Sequence, residues 1–433
     1  MKIDRFKDYD PEVRDLVLRF ERQGAGGRSF FDVDELEVIM DYYLEVYDDE
    51  GLEAAVTFGE GLFPGSGAVR LRRAHLLSIR GHFDEALALL RELQQTEPDN
   101  TDVSYAMGAV YGMMGRAQEA IDCYQRAARD GYELDVVYGN IGDEYYNMGQ
   151  LDRAAHYYHK AVEVNPEESR SLYNLACTEA ERGNGEAAAE FFKKLVGDIP
   201  YNKWAWFGLG LVYSRLGLYE LGADAFEYAL AIDSTIVDAY LGLADCYANM
   251  GKRERAVLAL RDGLDYTDDR PYIFFCIGSL YKEADNYHTA TVYYHDALKE
   301  DPAYAAAWRE LGVCSQMMGY SEEAATYYRR AIDLDPASDE AWLRLADLYM
   351  GDERWMDATQ LLEGGYTDAA DPFGFAMRLC YCYYRLGRGD RMMDFLRTSN
   401  IDVLQLYGDL LAAWPALADD GALLAFVKGF ENE

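Results

Sequence analysis

Few residues of this chain have the type and spacing that metal chemistry requires. His156 and His159 are three positions apart, so on one helix their imidazoles would face the same side and could share a metal ion. The positions 34 residues before and after His159 hold Gln125 and Lys193, which are ordinary polar residues. We therefore interpret His159 as an exposed polar residue and predict no metal site.

The seven cysteines are scattered along the chain, and no two of them form a CxxC pair. Cys380 and Cys382 are two residues apart, so on a helix their side chains point in different directions. This arrangement is typical of buried free thiols in a reducing compartment.

Sequence motifs of the common enzyme classes are missing as well. The chain has no GxSxG, HExxH or EF-hand pattern. The glycine cluster from Gly24 to Gly27 follows no predicted strand and lacks a Walker lysine, so it predicts a loop rather than a phosphate-binding turn. Carboxylate pairs are expected by chance among 77 Asp and Glu residues. We predict a non-enzymatic protein without a cofactor.

The elements that would position any functional residue recur every 34 residues, without insertion or deletion. Small residues mark this period in two series. The first is Ala74, Gly108, Gly142, Ala176, Gly210, Ala244, Gly278, Gly312 and Ala346. The second is Ala86, Ala120, Ala154, Ala188, Gly222, Ala256, Ala290, Ala324 and Ala358. Such a period predicts a stack of equivalent helix pairs, with the small residues where two helices cross closely.

Counted from Gly67 as position 1, the two series occupy repeat positions 8 and 20. Position 24 is mostly bulky and would fill the space beside them. Position 15 is glycine in most repeats, which suits a left-handed residue at the end of the first helix. Proline at position 32 would end the second helix. These prolines are Pro64, Pro98, Pro166, Pro200, Pro302 and Pro336.

The spacing resembles the tetratricopeptide repeat, and in particular its long bacterial arrays. One repeat carries the signature Trp206, Leu209, Gly210 and Tyr213, followed by Gly222, Phe226 and Ala229. Another carries Trp308, Leu311, Gly312, Ala324, Tyr328, Ala331 and Pro336. The resemblance implies an all-α fold, a right-handed superhelical solenoid of stacked antiparallel helix pairs.

The same phase divides the chain into five segments of one predicted solenoid. Residues 1–32 are expected to form a capping helix and loop, with Asp10 and Pro11 at the helix start. Residues 33–66 form a degenerate first repeat, opened by the capping pair Asp32 and Glu35. Nine clear repeats occupy 67–372, a further degenerate repeat occupies 373–406, and capping helices occupy 407–433. The last helix would contain Leu423, Val427 and Phe430.

The net charge of −36 argues against nucleic acid as a partner, because Lys and Arg carry most phosphate contacts. Two interpretations of the charge remain open: a basic partner steered by the field, or a solvated surface that keeps the protein soluble. No apolar run reaches the roughly 20 residues of a membrane span. Charges within Met1–Glu12 are unlike a signal peptide. We expect a cytoplasmic protein without membrane insertion.

The resemblance also implies a concave groove lined by first helices, with repeat positions 2, 5, 9, 12 and 13 facing inward. The Lys and Asn clamp of chaperone-binding members is absent at positions 5 and 9. Aromatic residues and arginines occupy these positions instead, and such residues are enriched at binding hot spots. The candidate groove residues are Tyr105, Tyr146, Arg170, Tyr173, Trp204, Phe207, Arg215, Tyr272 and Phe275.

The predicted function is therefore a non-catalytic scaffold that captures a helix or an extended segment of a partner protein, with Arg170 and Arg215 holding its polar ends. Some of the rings would instead pack against neighbouring helices. Two alternatives remain. One is self-association through the apolar C-terminal cap, although we favour a monomer. The other is an enzyme of a kind that these motifs do not reveal.

Overall fold

The computed structural model describes residues 10–24, 30–129, 131–399, 401 and 403–415. These residues form α-helices, two short 3₁₀ turns and connecting loops, and they contain no strand. The all-α class and the stacked helix pairs predicted from the sequence are confirmed. The chain divides into two compact units, Met1–Asp233 and Ser234–Glu433, hereafter the N-terminal and C-terminal units.

Helices of the N-terminal unit are mostly 13 or 14 residues long, as the 34-residue period requires for two helices and two short turns. They are α1 (Pro11–Gly24), α2 (Val33–Glu45), α3 (Asp49–Leu62), α4 (Gly67–Ile79), α5 (Phe83–Thr96), α6 (Thr101–Met113), α7 (Ala117–Arg129), α8 (Leu134–Asn147), α9 (Leu151–Val164), α10 (Ser169–Glu181), α11 (Gly185–Asp198), α12 (Lys203–Arg215) and α13 (Tyr219–Ile232).

The C-terminal unit continues the alternation of first and second helices. It contains α14 (Val237–Asn249), α15 (Arg253–Gly263), α16 (Arg270–Lys282), α17 (Tyr287–Glu300), α18 (Ala305–Met317), α19 (Ser321–Leu334), α20 (Asp339–Gly351), α21 (Trp355–Gly365), α22 (Pro372–Arg385), α23 (Gly389–Thr398) and α24 (Val403–Ala413). Turns Leu264–Tyr266 and Tyr366–Asp368 extend α15 and α21.

Each hairpin is held together where a small residue at position 8 meets a large one at position 24. A Cβ atom added to Gly210 would lie only 2.8 Å from Cδ1 of Phe226. The same contact joins Gly108 to Tyr124, Gly142 to Tyr158, Gly278 to Tyr294 and Gly312 to Tyr328. Repeats with alanine at position 8 mostly have the shorter leucine at position 24, as in Ala74 with Leu90, Ala244 with Leu260 and Ala346 with Leu362.

The turn between the two helices of each repeat depends on a left-handed residue at position 15. Eight repeats place glycine there, from Gly81 (φ 77°) to Gly387 (φ 67°). The same backbone persists where glycine is absent, at Tyr47 (φ 54°), Asp285 (φ 56°) and Glu353 (φ 59°). Helix packing therefore imposes this conformation on residues that ordinarily avoid it.

Proline at position 32 and tryptophan at position 4 are linked across successive repeats. Each of the six prolines lies two residues beyond the last residue of a second helix, as predicted. Trp206 donates its indole N–H to the carbonyl of Pro200 at 2.8 Å. Trp308 and Trp342 make the equivalent bonds to Pro302 and Pro336. The bond satisfies a loop carbonyl that lies just beyond the helix end.

Helix α1 packs on the N-terminal end of the stack. The carboxylate of Asp10 accepts the N–H of Glu12 at 2.8 Å, and Phe20 packs edge-on against Phe31 and Phe58. Asp32 and Glu35 form a reciprocal capping box at the start of α2, which confirms that prediction. Residues 25–29 of the predicted glycine loop lie outside the described residues.

At the other end, α24 covers α22. Leu406 and Leu410 are buried, and the ring of Trp414 stacks on Tyr381 with centroids 4.4 Å apart. This helix begins at Val403, four residues before the predicted cap. The predicted last helix with Leu423, Val427 and Phe430 lies outside the described residues.

We expect Gly210→Ala to destabilise the N-terminal unit by about 1–3 kcal/mol, because the new methyl group would overlap the Phe226 ring. In a Phe226→Leu background the same change should cost at least about 1 kcal/mol less, since leucine faces alanine in other repeats. Urea unfolding followed by circular dichroism measures all four corners of this cycle. Additive effects would contradict the proposed contact.

We expect Glu353→Gly to stabilise the C-terminal unit by about 1 kcal/mol, because glycine adopts the left-handed turn without steric cost. Glu353→Ala is the matched control, since it removes the same carboxylate but keeps the strained conformation. Thermal unfolding should show a gain for glycine alone. Equal shifts for both variants would assign the effect to charge.

Candidate partner-binding grooves

Four of the predicted groove residues come together around one cavity of the N-terminal unit. This cavity, here called cavity A, has a volume of about 460 Å³ and lies against α8, α9, α10 and α12. Tyr146, Arg170, Tyr173 and Arg215 line it. The remaining lining residues are Asp143, Asn147, Tyr158, Asn174, Ala176, Cys177, Thr178, Ala180, Glu181 and Leu211.

A hydrogen-bonded network centred on Asp143 forms one side of cavity A. Asp143 accepts the hydroxyl of Tyr158 at 2.7 Å and the amide of Asn174 at 2.8 Å, and its second carboxylate oxygen is paired with Arg170. Burial raises the pKa of Asp143, while the bond from Tyr158 and the charge of Arg170 act in the opposite direction. Arg170 also donates to Oδ1 of Asn140 at 3.0 Å.

The opposite side of cavity A carries the second arginine. Arg215 forms no hydrogen bond and no ion pair with any residue that the structure describes. Nearby, the hydroxyl of Tyr146 donates to Glu181 at 2.7 Å, and this bond raises the pKa of Tyr146. The two arginines thus differ: Arg170 is held by the protein, although its side chain is 61% exposed, whereas Arg215 is not held.

The sequence placed Phe207 in the groove, but its ring is buried, with 1% of the residue exposed. Tyr173 stacks on one side of this ring at 5.6 Å, Trp204 meets its edge at 5.8 Å, and Phe226 lies below at 5.6 Å. At this position 5, the side chain therefore packs beneath the groove residues Tyr173 and Trp204 and does not line the groove itself. Tyr173 remains accessible at 38% exposure, and Trp204 is half-buried beside it.

Tyr105 also packs inward rather than lining cavity A. Its ring contacts Tyr124 at 5.6 Å and Tyr132 at 5.2 Å, and its hydroxyl accepts the amide of Asn140 at 3.1 Å. Asn140 also accepts a hydrogen bond from Arg170, which is paired with Asp143. Tyr105 is therefore connected through Asn140 to the network centred on Asp143. It contributes to the positioning of Arg170 rather than to the surface of the cavity.

Tyr272 and Phe275 line a separate cavity of the C-terminal unit, here called cavity B. Its volume is about 550 Å³, and α14, α15 and α16 form its walls. Tyr272 is 42% exposed, while Phe275 is half-buried against Tyr294 and Tyr304. The other lining residues are Leu241, Ala244, Asp245, Ala248, Asn249, Leu260, Cys276, Ser279, Leu280 and Glu283.

The thiol of Cys276, which lines cavity B, is not prepared for nucleophilic chemistry. Burial raises the pKa of Cys276 to about 11, so the thiol in cavity B stays protonated near neutral pH.

His159, expected as an exposed residue, is half-buried: its ring meets Phe191 edge-on at 4.6 Å and its Nε2 lies 3.4 Å from Glu179. Among the described residues, no group of three or more His, Cys, Asp and Glu could hold a metal ion.

The polar residues of both cavities are not among the residues predicted from the sequence. Asp143 and Asp245 occupy position 9 of their repeats, and Asn147, Asn249 and Glu283 fall at position 13. These positions face inward in the predicted groove, but their residues are neither aromatic nor arginine, the types that indicate binding hot spots. A carboxylate at position 9 followed by arginine at position 2 of the next repeat would have indicated the pair Asp143 and Arg170.

Comparison with protein families agrees with the repeat geometry. Three models, each described as tetratricopeptide repeat, match residues 140–203, residues 77–133 and 318–372, and residues 238–262. The chain contains tetratricopeptide repeats. Its fold is that of a scaffold for protein–protein interaction.

Curated relatives match this tetratricopeptide repeat protein over short stretches. Human protein arginine N-methyltransferase 9 is 34% identical over 61 residues, which is 14% of this chain and 7% of that protein. The CTR9 homolog of Arabidopsis thaliana is 30% identical over 105 residues, 24% of this chain and 10% of the relative. The chain thus matches no more than a tenth of the length of either protein.

Solved structures with similar helix arrangements include the Cut9–Hcn1 hetero-tetramer of APC/C, at 14% identity, a TM-score of 0.38 and coverage of 96% of this chain and 93% of that one. A tetratricopeptide repeat protein from Parabacteroides merdae is 19% identical, with a TM-score of 0.43 and coverage of 57% and 98%. Within the described part of this chain, no helix is long and apolar enough to cross a membrane.

We expect Phe207→Ala to lower the free energy of unfolding of this tetratricopeptide repeat protein by about 3–5 kcal/mol, because it removes a fully buried ring. Tyr146→Ala is a suitable comparison, since Tyr146 is 37% exposed and should cost much less. Urea unfolding measures both. If Phe207→Ala lowers the free energy of unfolding by less than about 1 kcal/mol, the ring is exposed in the groove and not buried.

Proposed function

We propose that this protein is a non-catalytic scaffold that captures a segment of a partner protein in cavity A of its N-terminal unit. The observation that carries the proposal is the arrangement of this cavity. The cavity combines the accessible rings of Tyr146 and Tyr173 with the guanidinium group of Arg215, which has no partner among the described residues. Its wall also contains the hydrogen-bonded side chains of Asp143, Tyr158 and Asn174. Concave sites that combine apolar surface with a few placed polar groups are typical of ligand-binding sites.

The tyrosines would supply most of the affinity. Tyr146 and Tyr173 are each more than a third exposed, and both contribute large rings with few rotatable bonds. Tyr173 rests on the buried ring of Phe207, and the hydroxyl of Tyr146 is fixed by Glu181. A partner would therefore meet rings that are already ordered, so little conformational entropy is lost on binding.

The two arginines would have different roles. Arg170 is engaged by Asp143 and Asn140, so we assign it to the organisation of the cavity wall. Arg215 has no such engagement among the described residues and is the group best suited to bind a carboxylate of the partner. Guanidinium and carboxylate groups form strong paired hydrogen bonds. The favoured ligand of cavity A is thus a segment with an acidic group beside an apolar side chain.

We further propose that the protein acts in a reducing, cytoplasmic compartment. The cysteines are free, although Cys380 and Cys382 are close in sequence, and this agrees with such a compartment. Self-association through the C-terminal cap is less favoured, because the ring of Trp414 is already stacked on Tyr381 of the same chain. We expect a monomer.

A random dodecapeptide library displayed on phage tests the proposal without knowledge of the natural partner. Selection on the full chain should enrich peptides with an Asp or Glu near an aromatic or aliphatic residue. The double variant Tyr173→Ala/Arg215→Gln should lose about 100-fold in affinity for such peptides, since each change removes a central contact worth roughly 1–2 kcal/mol. Fluorescence anisotropy with the selected peptides measures the loss.

The matched control is Tyr201→Ala/Arg330→Gln, which makes the same two replacements at exposed positions that line neither cavity. Both variants should keep the helical circular dichroism spectrum of the wild type. If the cavity variant and the control bind the selected peptides equally well, capture in cavity A is wrong.

A further inference from the structure

We propose that cavity B of the C-terminal unit is a second binding site, specific for a basic segment in which Lys or Arg lies next to an aliphatic or aromatic residue. Its chemistry differs from that of cavity A, and the inference does not depend on capture there. The proposal follows from the charged and the apolar groups that line the cavity.

The charged groups of cavity B are all acidic. Asp245 and Glu283 line it, and no Lys or Arg is among its lining residues. Cavity A, by contrast, contains two arginines and two carboxylates, so its charges largely balance. Glu283 makes no ion pair with any described residue and is exposed at the end of α16. A cation would therefore find a carboxylate that requires no other bond to be broken.

The second acidic group is oriented by its neighbour. Asn249, one helical turn beyond Asp245, donates its amide to the side chain of Asp245 at 3.1 Å and to its carbonyl at 2.9 Å. An amide donor stabilises the charged form of a carboxylate and restricts its rotamers. The wall formed by α14 thus presents a negative group in a defined position.

Apolar side chains line cavity B together with these two carboxylates. Tyr272 exposes 42% of its surface, and Leu241 and Leu280 are half-buried on α14 and α16. Phe275 forms part of the wall and is fixed against the rings of Tyr294 and Tyr304. An aliphatic or aromatic side chain of a ligand would be buried here, while the aliphatic stem of an adjacent Lys or Arg covers the Tyr272 ring.

The charge of the whole chain acts in the same direction. A net charge of −36 attracts basic segments before contact, which raises their association rates at low ionic strength. This field is not specific to cavity B, so a test must separate local binding from general attraction. A neutralised carboxylate outside the cavity serves that purpose.

The experiment uses the full chain and two fluorescein-labelled dodecapeptides of the same length. One contains three lysines interleaved with leucine and tyrosine, and the other has each lysine replaced by norleucine. Anisotropy titrations should show binding of the lysine peptide at least about tenfold tighter than the norleucine peptide. Raising the salt concentration from 0.05 to about 0.5 M should weaken the lysine peptide selectively, since exposed charges are then screened.

Variants assign the binding to cavity B. Glu283→Gln and Asp245→Asn should each weaken the lysine peptide by about fivefold to tenfold, and Tyr272→Ala by a similar factor without any change of charge. Glu254→Gln, at an exposed carboxylate of α15 outside the cavity, is the matched control and should change the affinity less than twofold. Tyr173→Ala/Arg215→Gln should leave it unchanged.

Equal losses for Glu283→Gln and Glu254→Gln would overturn the inference, because they would assign the affinity to the general field. Preference for the norleucine peptide, or absence of binding at low salt, would overturn it as well. If the cavity A variant alone abolishes binding of the lysine peptide, cavity B is not its site. Failure of the phage selection at cavity A would leave these titrations unaffected, so the two proposals stand or fall separately.

Discussion

The close approach of the two helices in each repeat is the constraint on which the rest of the structure depends. A glycine at position 8 lies so near the ring at position 24 that a single added methyl group would overlap it. This contact fixes the distance between the helix axes, and therefore the way in which one hairpin presents its surface to the next. The correlation within the chain, glycine with aromatic residues and alanine mostly with leucine, reflects a fixed volume that two side chains share.

The same rings connect the core to the grooves. Tyr158 packs on Gly142 with its ring, and its hydroxyl reaches Asp143 in the wall of cavity A. Tyr294 shares a hydrogen bond with Ser279, a lining residue of cavity B, at 3.2 Å. A residue that belongs to the repeat signature thus also orients a residue that varies between repeats. This dual role explains why a surface built from variable residues can still be well ordered.

Much of the fold could be predicted because the determinants of a helix hairpin are local. The small residues, the turn at position 15 and the box formed by Asp32 and Glu35 all follow from spacing within one repeat. The burial of Phe207 could not, since position 5 faces both the groove and the neighbouring helix, and the stacking of Tyr173 decides between them. The pairing of Arg170 with Asp143 joins residues 27 apart on different helices. The division into two units after Asp233 could not be predicted either, because the 34-residue period of the sequence continues unchanged through it.

The left-handed turns have a consequence for motion. Where Tyr47 and Glu353 replace glycine, the backbone is held in a conformation that costs about 1–2 kcal/mol and is compensated only by the packing of the adjoining helices. When that packing loosens transiently, these turns can leave the left-handed conformation and release its free-energy cost. A glycine turn has no such cost to release. Amide protons at the ends of α2 and α20 should therefore exchange with solvent faster than their equivalents in glycine-containing repeats, so the pattern of local opening along the chain is determined by its turns as well as by its core.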